Sequence, residues 1–110
     1  MTVHEELAQA LRELESAMRA ADMWRMEAPE PAAYNSVEPF CIDTMSLPQW
    51  LRFVFIARLE TLVEQQGAMP SKSDVAPAVE AYLTQEGART SDRILVGKAI
   101  ERVDSLVTEN

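Results

Sequence analysis

Apolar residues recur at helical spacing in four stretches of this chain, and the elements they predict account for most of it. Val3, Leu7, Leu11, Leu14, Met18 and Ala21 alternate steps of four and three. That spacing lines one face of a helix over Val3 to Asp22, and Thr2 followed by Glu5 fits a capping box at its start. A second helix is announced by Ser46 as N-cap with Gln49 at N3, and by Met45 at N′ with Trp50 at N4, the positions of a capping box and a hydrophobic staple. Pro48 then falls in the first turn, where its missing N–H has no partner to lose. Trp50, Leu51, Phe53, Val54, Phe55, Ile56, Leu59, Leu62 and Val63 wrap more than half of this helix. It is therefore predicted to be the most buried element, stopping at Gly67.

The third helix is predicted to start near Asp74 or Pro77, with Asp74 as N-cap. It turns Val75, Val79, Tyr82 and Leu83 inward and ends at Gly87. The fourth, capped by Thr90 or Ser91, carries Val96, Ile100, Val103 and Val107 to about Thr108. Gly97 inside it either admits a close neighbour or is simply tolerated, at a cost of ~1 kcal/mol. Between the first two helices lies an irregular stretch, Met26 to Met45. Pro29, Pro31 and Pro39 exclude a regular helix there. Tyr34, Phe40, Ile42 and Met45 give it apolar anchors, with Phe40, Cys41 and Ile42 expected inside. The reading is all-α: a single domain over 1–110, a four-helix bundle with a long irregular crossover between the first two helices. A crossover of that length, running from one end of the bundle to the other, allows those two helices to lie parallel.

Composition narrows the function classes. The chain has 110 residues, 47% apolar and 25% charged, as in one globular domain. Ten Lys and Arg stand against eighteen Asp and Glu, a net charge of -8. That balance argues against direct tight binding of nucleic acid or of an anionic membrane, and is compatible with a partner that carries a basic patch. The longest apolar run, Phe53 to Ala57, is far too short to span a bilayer. The start of the chain is acidic and unlike a signal peptide. With one cysteine and no disulfide possible within the chain, a cytoplasmic location is expected.

Little in the sequence suggests chemistry. One His and one Cys, His4 and Cys41, cannot supply a zinc site, and no Glu-x-x-His pair exists for a di-iron site. No metal, cofactor or catalytic residue is assigned. Cys41, between Phe40 and Ile42, reads as a small buried thiol. Asp43 and Glu38 could form an acid/base pair, but Asp43 and Thr44 fit better as local hydrogen-bonding residues ahead of the second helix. Arg58 interrupts an apolar run. It lies either on a narrow exposed strip with Arg52 and Gln65, or half-buried against a carboxylate such as Asp43.

The run Asn35-Ser36-Val37-Glu38-Pro39-Phe40-Cys41-Ile42-Asp43-Thr44-Met45, followed by Trp50-Leu51 and an apolar helix reaching Arg58, resembles the YqcC-like family of small bacterial proteins of unknown function. Trp24-Arg25, Pro29, Pro31, Met69-Pro70 and Val75-Ala76-Pro77 extend the resemblance from about Leu7 to Leu106. Ala57 departs from it, standing where the family pattern has a proline before the arginine. The resemblance implies a helical bundle in the bacterial cytoplasm. It also implies a link to a C-type tRNA pseudouridine synthase, whose gene often adjoins that of family members. The chain itself lacks the size and the catalytic motif of such a synthase.

Three functions therefore compete. The first is a non-catalytic accessory or adaptor in tRNA pseudouridine modification, with Trp24 and Arg25 as the candidate partner surface. The second is a ligand binder or small enzyme, with Asp43, Thr44 and Arg58 around a polar pocket between the crossover and the second helix. The third is a structural or regulatory bundle unrelated to tRNA.

Overall fold

The computed structural model describes residues 1–109. Among them are four helices and no strand. Helix α1 is Val3–Ala20. Helix α2 spans 47–65 without a break but changes its winding: Leu47–Trp50 and Ala57–Gln65 are α-helical, and Leu51–Ile56 is a π-helix. Helix α3 is Ala76–Gln85 and α4 is Thr90–Thr108. Two 3-10 turns, Pro31–Asn35 and Pro39–Cys41, give the crossover its structure.

Both capping boxes form. Thr2 Oγ1 accepts from the Glu5 N–H at 3.1 Å and Ser46 Oγ from the Gln49 N–H at 3.2 Å, with the Glu5 and Gln49 side chains reaching back. The helix ends follow a single rule. At α1, α2 and α3 a left-handed residue closes the last turn with paired bonds from its own N–H and from that of the following residue, as in a Schellman motif. At α3 that residue is Gly87, with φ of 68°. At α1 it is Asp22 and at α2 it is Gln66. Thus α1 stops before Asp22, and Gln66 rather than Gly67 takes the strained conformation. Gly67 serves instead as the donor to the Leu62 carbonyl at 2.9 Å.

The start of α3 differs from expectation. Asp74 does not cap it. Asp104, buried on α4, does: its Oδ2 accepts from the N–H groups of Val75 and Ala76, each at 2.8 Å, and its Oδ1 accepts from the Ser73 hydroxyl at 2.7 Å. Helix α4 is entered through Arg89, with no side-chain cap from Thr90 or Ser91.

Helix α1 and helix α2 are antiparallel, not parallel. His4, at the start of α1, donates from Nε2 to the Gly67 carbonyl past the end of α2, at 2.7 Å. Beyond the other end of α1, the Trp24 carbonyl accepts from Arg52 near the start of α2. The crossover thus begins and ends at one end of the bundle rather than traversing it. Arg102 of α4 pairs with Glu13 of α1 at 2.7 Å. Helix α1 packs on both α2 and α4, and α3 packs on α4. With Leu7, Ala10, Leu11, Leu14, Ala17 and Met18 all buried, α1 is the central helix. Phe53 and Phe55 of α2 are only half-buried. Gly97 admits no close neighbour, since a Cβ built there meets no atom within 4 Å.

Candidate functional site

The crossover is a hydrogen-bonded knot. The Thr44 hydroxyl donates to the Ala33 carbonyl at 2.8 Å and is 3.2 Å from that of Cys41. This fastens the second 3-10 turn to the first. Asp43 accepts the Ser36 hydroxyl through Oδ1, and the Glu38 N–H donates to the same Ser36 oxygen at 3.1 Å. Asp43 and Thr44 thus both bond locally, with Asp43 using Ser36 rather than the backbone or Arg58. Beneath the knot, Ala33, Cys41, Met45 and Val54 form a small apolar cluster with Trp50 against it. Phe40 and Cys41 are held at φ of 58° and 48°, a left-handed pair that costs roughly 1–3 kcal/mol per residue. Phe40 is fixed by an edge-on contact with Trp50, with ring centroids 5.0 Å apart.

The same geometry pushes other apolar side chains outward. Ile42 is 70% exposed, Val37 95% and Tyr34 41%. The expectation that Ile42 lies inside is thus corrected: the left-handed turn at Phe40 and Cys41 sends those two toward Trp50 and Val54 and leaves Ile42 on the far side. Glu30, Glu38 and Asp43 are exposed on the same knot, and residues 26–45 contain no Lys or Arg.

Trp24 is not displayed as a contact residue. It is 8% exposed, and its ring is covered by the guanidinium groups of Arg52, 4.5 Å from the ring centroid, and Arg19, at 5.3 Å. Arg25 beside it is exposed.

Arg58 makes no bond to Asp43 or Thr44, and neither of those two lines the cavity that Arg58 does. It is exposed on α2 and makes no ion pair among the described residues. It stands at the rim of a separate cavity of about 170 Å³ between α2, the connector after it and the end of α4. Trp50 and Phe55 line this cavity, stacked at 5.4 Å between centroids and 24° between planes. Residues five apart stack this way because the π-helical winding bonds i to i+5 and brings them toward one face. The π segment ends immediately before Ala57, so the wide turn occurs without a proline at that position.

No group of three or more His, Cys, Asp or Glu side chains is arranged to hold a metal ion among the described residues, and none of their helices is long and apolar enough to cross a membrane. Burial, with the nearby charges of Glu15 and Glu64, raises the pKa of Glu60 above the usual carboxylate value. Burial and then Glu86 raise that of Tyr82. Neither group sits in a cluster suited to proton transfer.

Asp104 and Lys72 are absent from the sequence expectations, and Arg52, expected on an exposed strip, is half-buried against Trp24 instead. Asp104 did leave a signal: it lies four residues after Ile100 and three before Val107, on the inward stripe, where a charge requires partners. Lys72, on an irregular connector, left none.

These features define a class: a small acidic helical bundle whose distinctive parts are a knotted, acidic, apolar-tipped crossover and a cation-rimmed cavity. A family described as tRNA pseudouridine synthase C matches residues 6–106. The chain is 32% identical over 110 residues to YqcC of Escherichia coli, covering 100% of this chain and 98% of that one. The solution NMR structure of that protein superposes with a TM-score of 0.82, covering 99% of this chain and 91% of that chain. The chain therefore belongs to the YqcC-like family. A Haemophilus influenzae protein is 38% identical over 77 residues, 70% of this chain and 73% of its own. A protein named tRNA pseudouridine synthase C, from Pectobacterium carotovorum, is 37% identical over 70 residues, which are 64% of this chain but only 19% of that one.

Proposed function

We propose that this chain is a non-catalytic accessory of a tRNA pseudouridine synthase, acting by protein contact. One observation carries the reading. A stretch like 64% of this chain occupies 19% of a longer polypeptide named for that synthase, whereas relatives such as the Escherichia coli protein match this chain at nearly full length. Covalent linkage holds two modules at high effective concentration. A bundle on a chain of its own, as in the Escherichia coli relative matched over 98% of its length, can reach the same neighbour by contact.

The surface chemistry supports this. An enzyme that grips tRNA presents basic groups to the phosphates. The crossover offers the complement: exposed Val37, Ile42 and Tyr34 set among Glu30, Glu38 and Asp43. Apolar anchors give such a contact its affinity, and opposite charge gives it orientation and rate. Free tRNA is disfavoured as the direct ligand by the net charge of -8.

The test is to mix the chain with the C-type tRNA pseudouridine synthase of the same organism and separate by size. Co-elution that weakens as salt rises is the expected result. Independent elution at micromolar concentration of both proteins would remove the reading.

A further inference from the structure

We propose that the cavity beside Arg58 is a binding site for a carboxylate carried on an apolar body about one ring in size. The site is distinct from the crossover surface and stands whether or not the accessory role does.

Three observations lead to it. The cavity, about 170 Å³, is of the size that admits a single ring; an apolar cavity of about 150 Å³ holds benzene. Its walls suit such a body, with the stacked Trp50 and Phe55 and, beside them, Leu59. Trp50 is also braced by an edge-on contact with Phe40, so the aromatic wall is formed in advance.

The second observation is the charge at the rim. Arg58 and Lys72 both line the cavity, and no Asp or Glu does. In a chain with eighteen acidic residues, that exclusion is informative. Arg19, Arg89 and Arg102 each have a carboxylate partner, and Arg52 is committed to Trp24. Arg12, Arg93 and Lys98 are unpaired among the described residues but line cavities that also hold Glu side chains. Arg58 and Lys72 have no ion-pair or hydrogen-bond partner among the described residues. Two unpaired cations over an apolar wall form an anion site with a hydrophobic side.

The third observation is that the Ser73 hydroxyl at the site is already engaged. It donates to Asp104, so the donors left for a ligand are the two cations and the indole N–H of Trp50. A polyanion is disfavoured by the charge of the whole chain, and the volume does not accommodate a nucleotide. A monoanion with a compact apolar body fits both constraints. Such a ligand is either a free small acid or the carboxylate end of a polypeptide with a bulky last residue.

The experiment is an NMR titration of the full chain with 3-phenylpropionate, following the indole N–H signals. Trp24 is enclosed by Arg19 and Arg52 and serves as the internal control. The Trp50 signal should shift, with a dissociation constant on the order of 1 mM, the scale for so small a ligand. The uncharged 3-phenylpropanamide should bind at least about tenfold more weakly. Arg58→Gln and Lys72→Gln, both at exposed positions, should each weaken the acid about tenfold while the helical circular dichroism is retained. A blocked tripeptide ending in phenylalanine distinguishes the sources: equal binding identifies a chain end, and about tenfold weaker binding a free acid. A Trp50 signal unmoved at about 20 mM acid, equal binding of the amide, or full binding by Arg58→Gln would each overturn the proposal.

Discussion

Arg52 holds Trp24 twice. Its Nη1 donates to the Trp24 carbonyl at 2.6 Å, and its guanidinium carbon lies 4.5 Å from the centroid of the Trp24 ring. This one side chain fixes the exit of α1 against the entry of α2, and so keeps both ends of the crossover at one end of the bundle. Arg52→Ala should cost about 2 kcal/mol, the sum expected of a hydrogen bond from a charged donor and a partly desolvated cation–π contact. Arg52→Lys should recover less than half, because an ammonium cannot both stack and donate in a planar fork. Urea melts at neutral pH check both values; an Arg52→Ala midpoint equal to that of the unmodified chain would contradict the assignment.

Asp104 is the second long-range clamp. Removing it leaves the Val75 and Ala76 N–H groups and the Ser73 hydroxyl without their acceptor. Asp104→Ala should destabilise by about 2–4 kcal/mol. Amide hydrogen exchange should show Val75 and Ala76 losing protection before the middle of α4 does.

The staple at the start of α2 should show coupling. Met45 is buried and Trp50 packs against its cluster. Met45→Ala and Trp50→Ala should each destabilise, and the double variant should fall short of their sum by about 0.5 kcal/mol or more. Strict additivity in urea melts would mean that the two side chains act separately.

Helix starts were legible in the sequence where both partners of the cap lie within four residues. Thr2 with Glu5 and Ser46 with Gln49 form as their spacing predicts. The α3 start was misread because its acceptor, Asp104, lies 28 or more residues away. The direction of the crossover was misread for the same reason, since the Trp24–Arg52 bond spans 28 residues. The crossover surface was hidden by an ambiguity of residue type. Phe40, Cys41 and Ile42 are all apolar, and only the left-handed backbone at Phe40 and Cys41 decides which of them faces out. At Arg58 the sequence leaves two readings, exposed or paired with a carboxylate, and the exposed one holds; the choice is visible only when every carboxylate has a position.

Gly97 tests the packing of α4. A Cβ there meets nothing within 4 Å, so Gly97→Ala should stabilise by up to about 1 kcal/mol through helix propensity alone. A lower melting midpoint would show that a neighbour does approach this face.

Glu60 gives a pH dependence. Its pKa is raised in the folded chain by burial and by the charges of Glu15 and Glu64. A raised pKa means that the folded state favours the protonated form. The stabilising contribution is therefore complete below the ordinary value of 4.5 and is lost as pH rises through the higher folded value. Glu60→Gln should raise the urea midpoint at pH 7, and the gain should shrink as pH falls below that range. The group is largely exposed, so the gain is small. A loss at pH 7 would reverse the sign and contradict the assignment.

The proposed contact joins this bundle to a tRNA pseudouridine synthase through the acidic, apolar-tipped crossover. Isothermal titration of the chain into the C-type synthase of the same organism tests it most directly. A dissociation constant of about 10 μM or tighter is predicted, weakening with salt, as expected of an acidic surface meeting a basic one. With Val37→Ser and Ile42→Ser combined, at positions whose exposure leaves the fold intact, loss of the apolar anchors without change of charge should weaken binding at least about tenfold. No heat of binding at about 100 μM synthase, or undiminished binding by the double variant, would contradict the account.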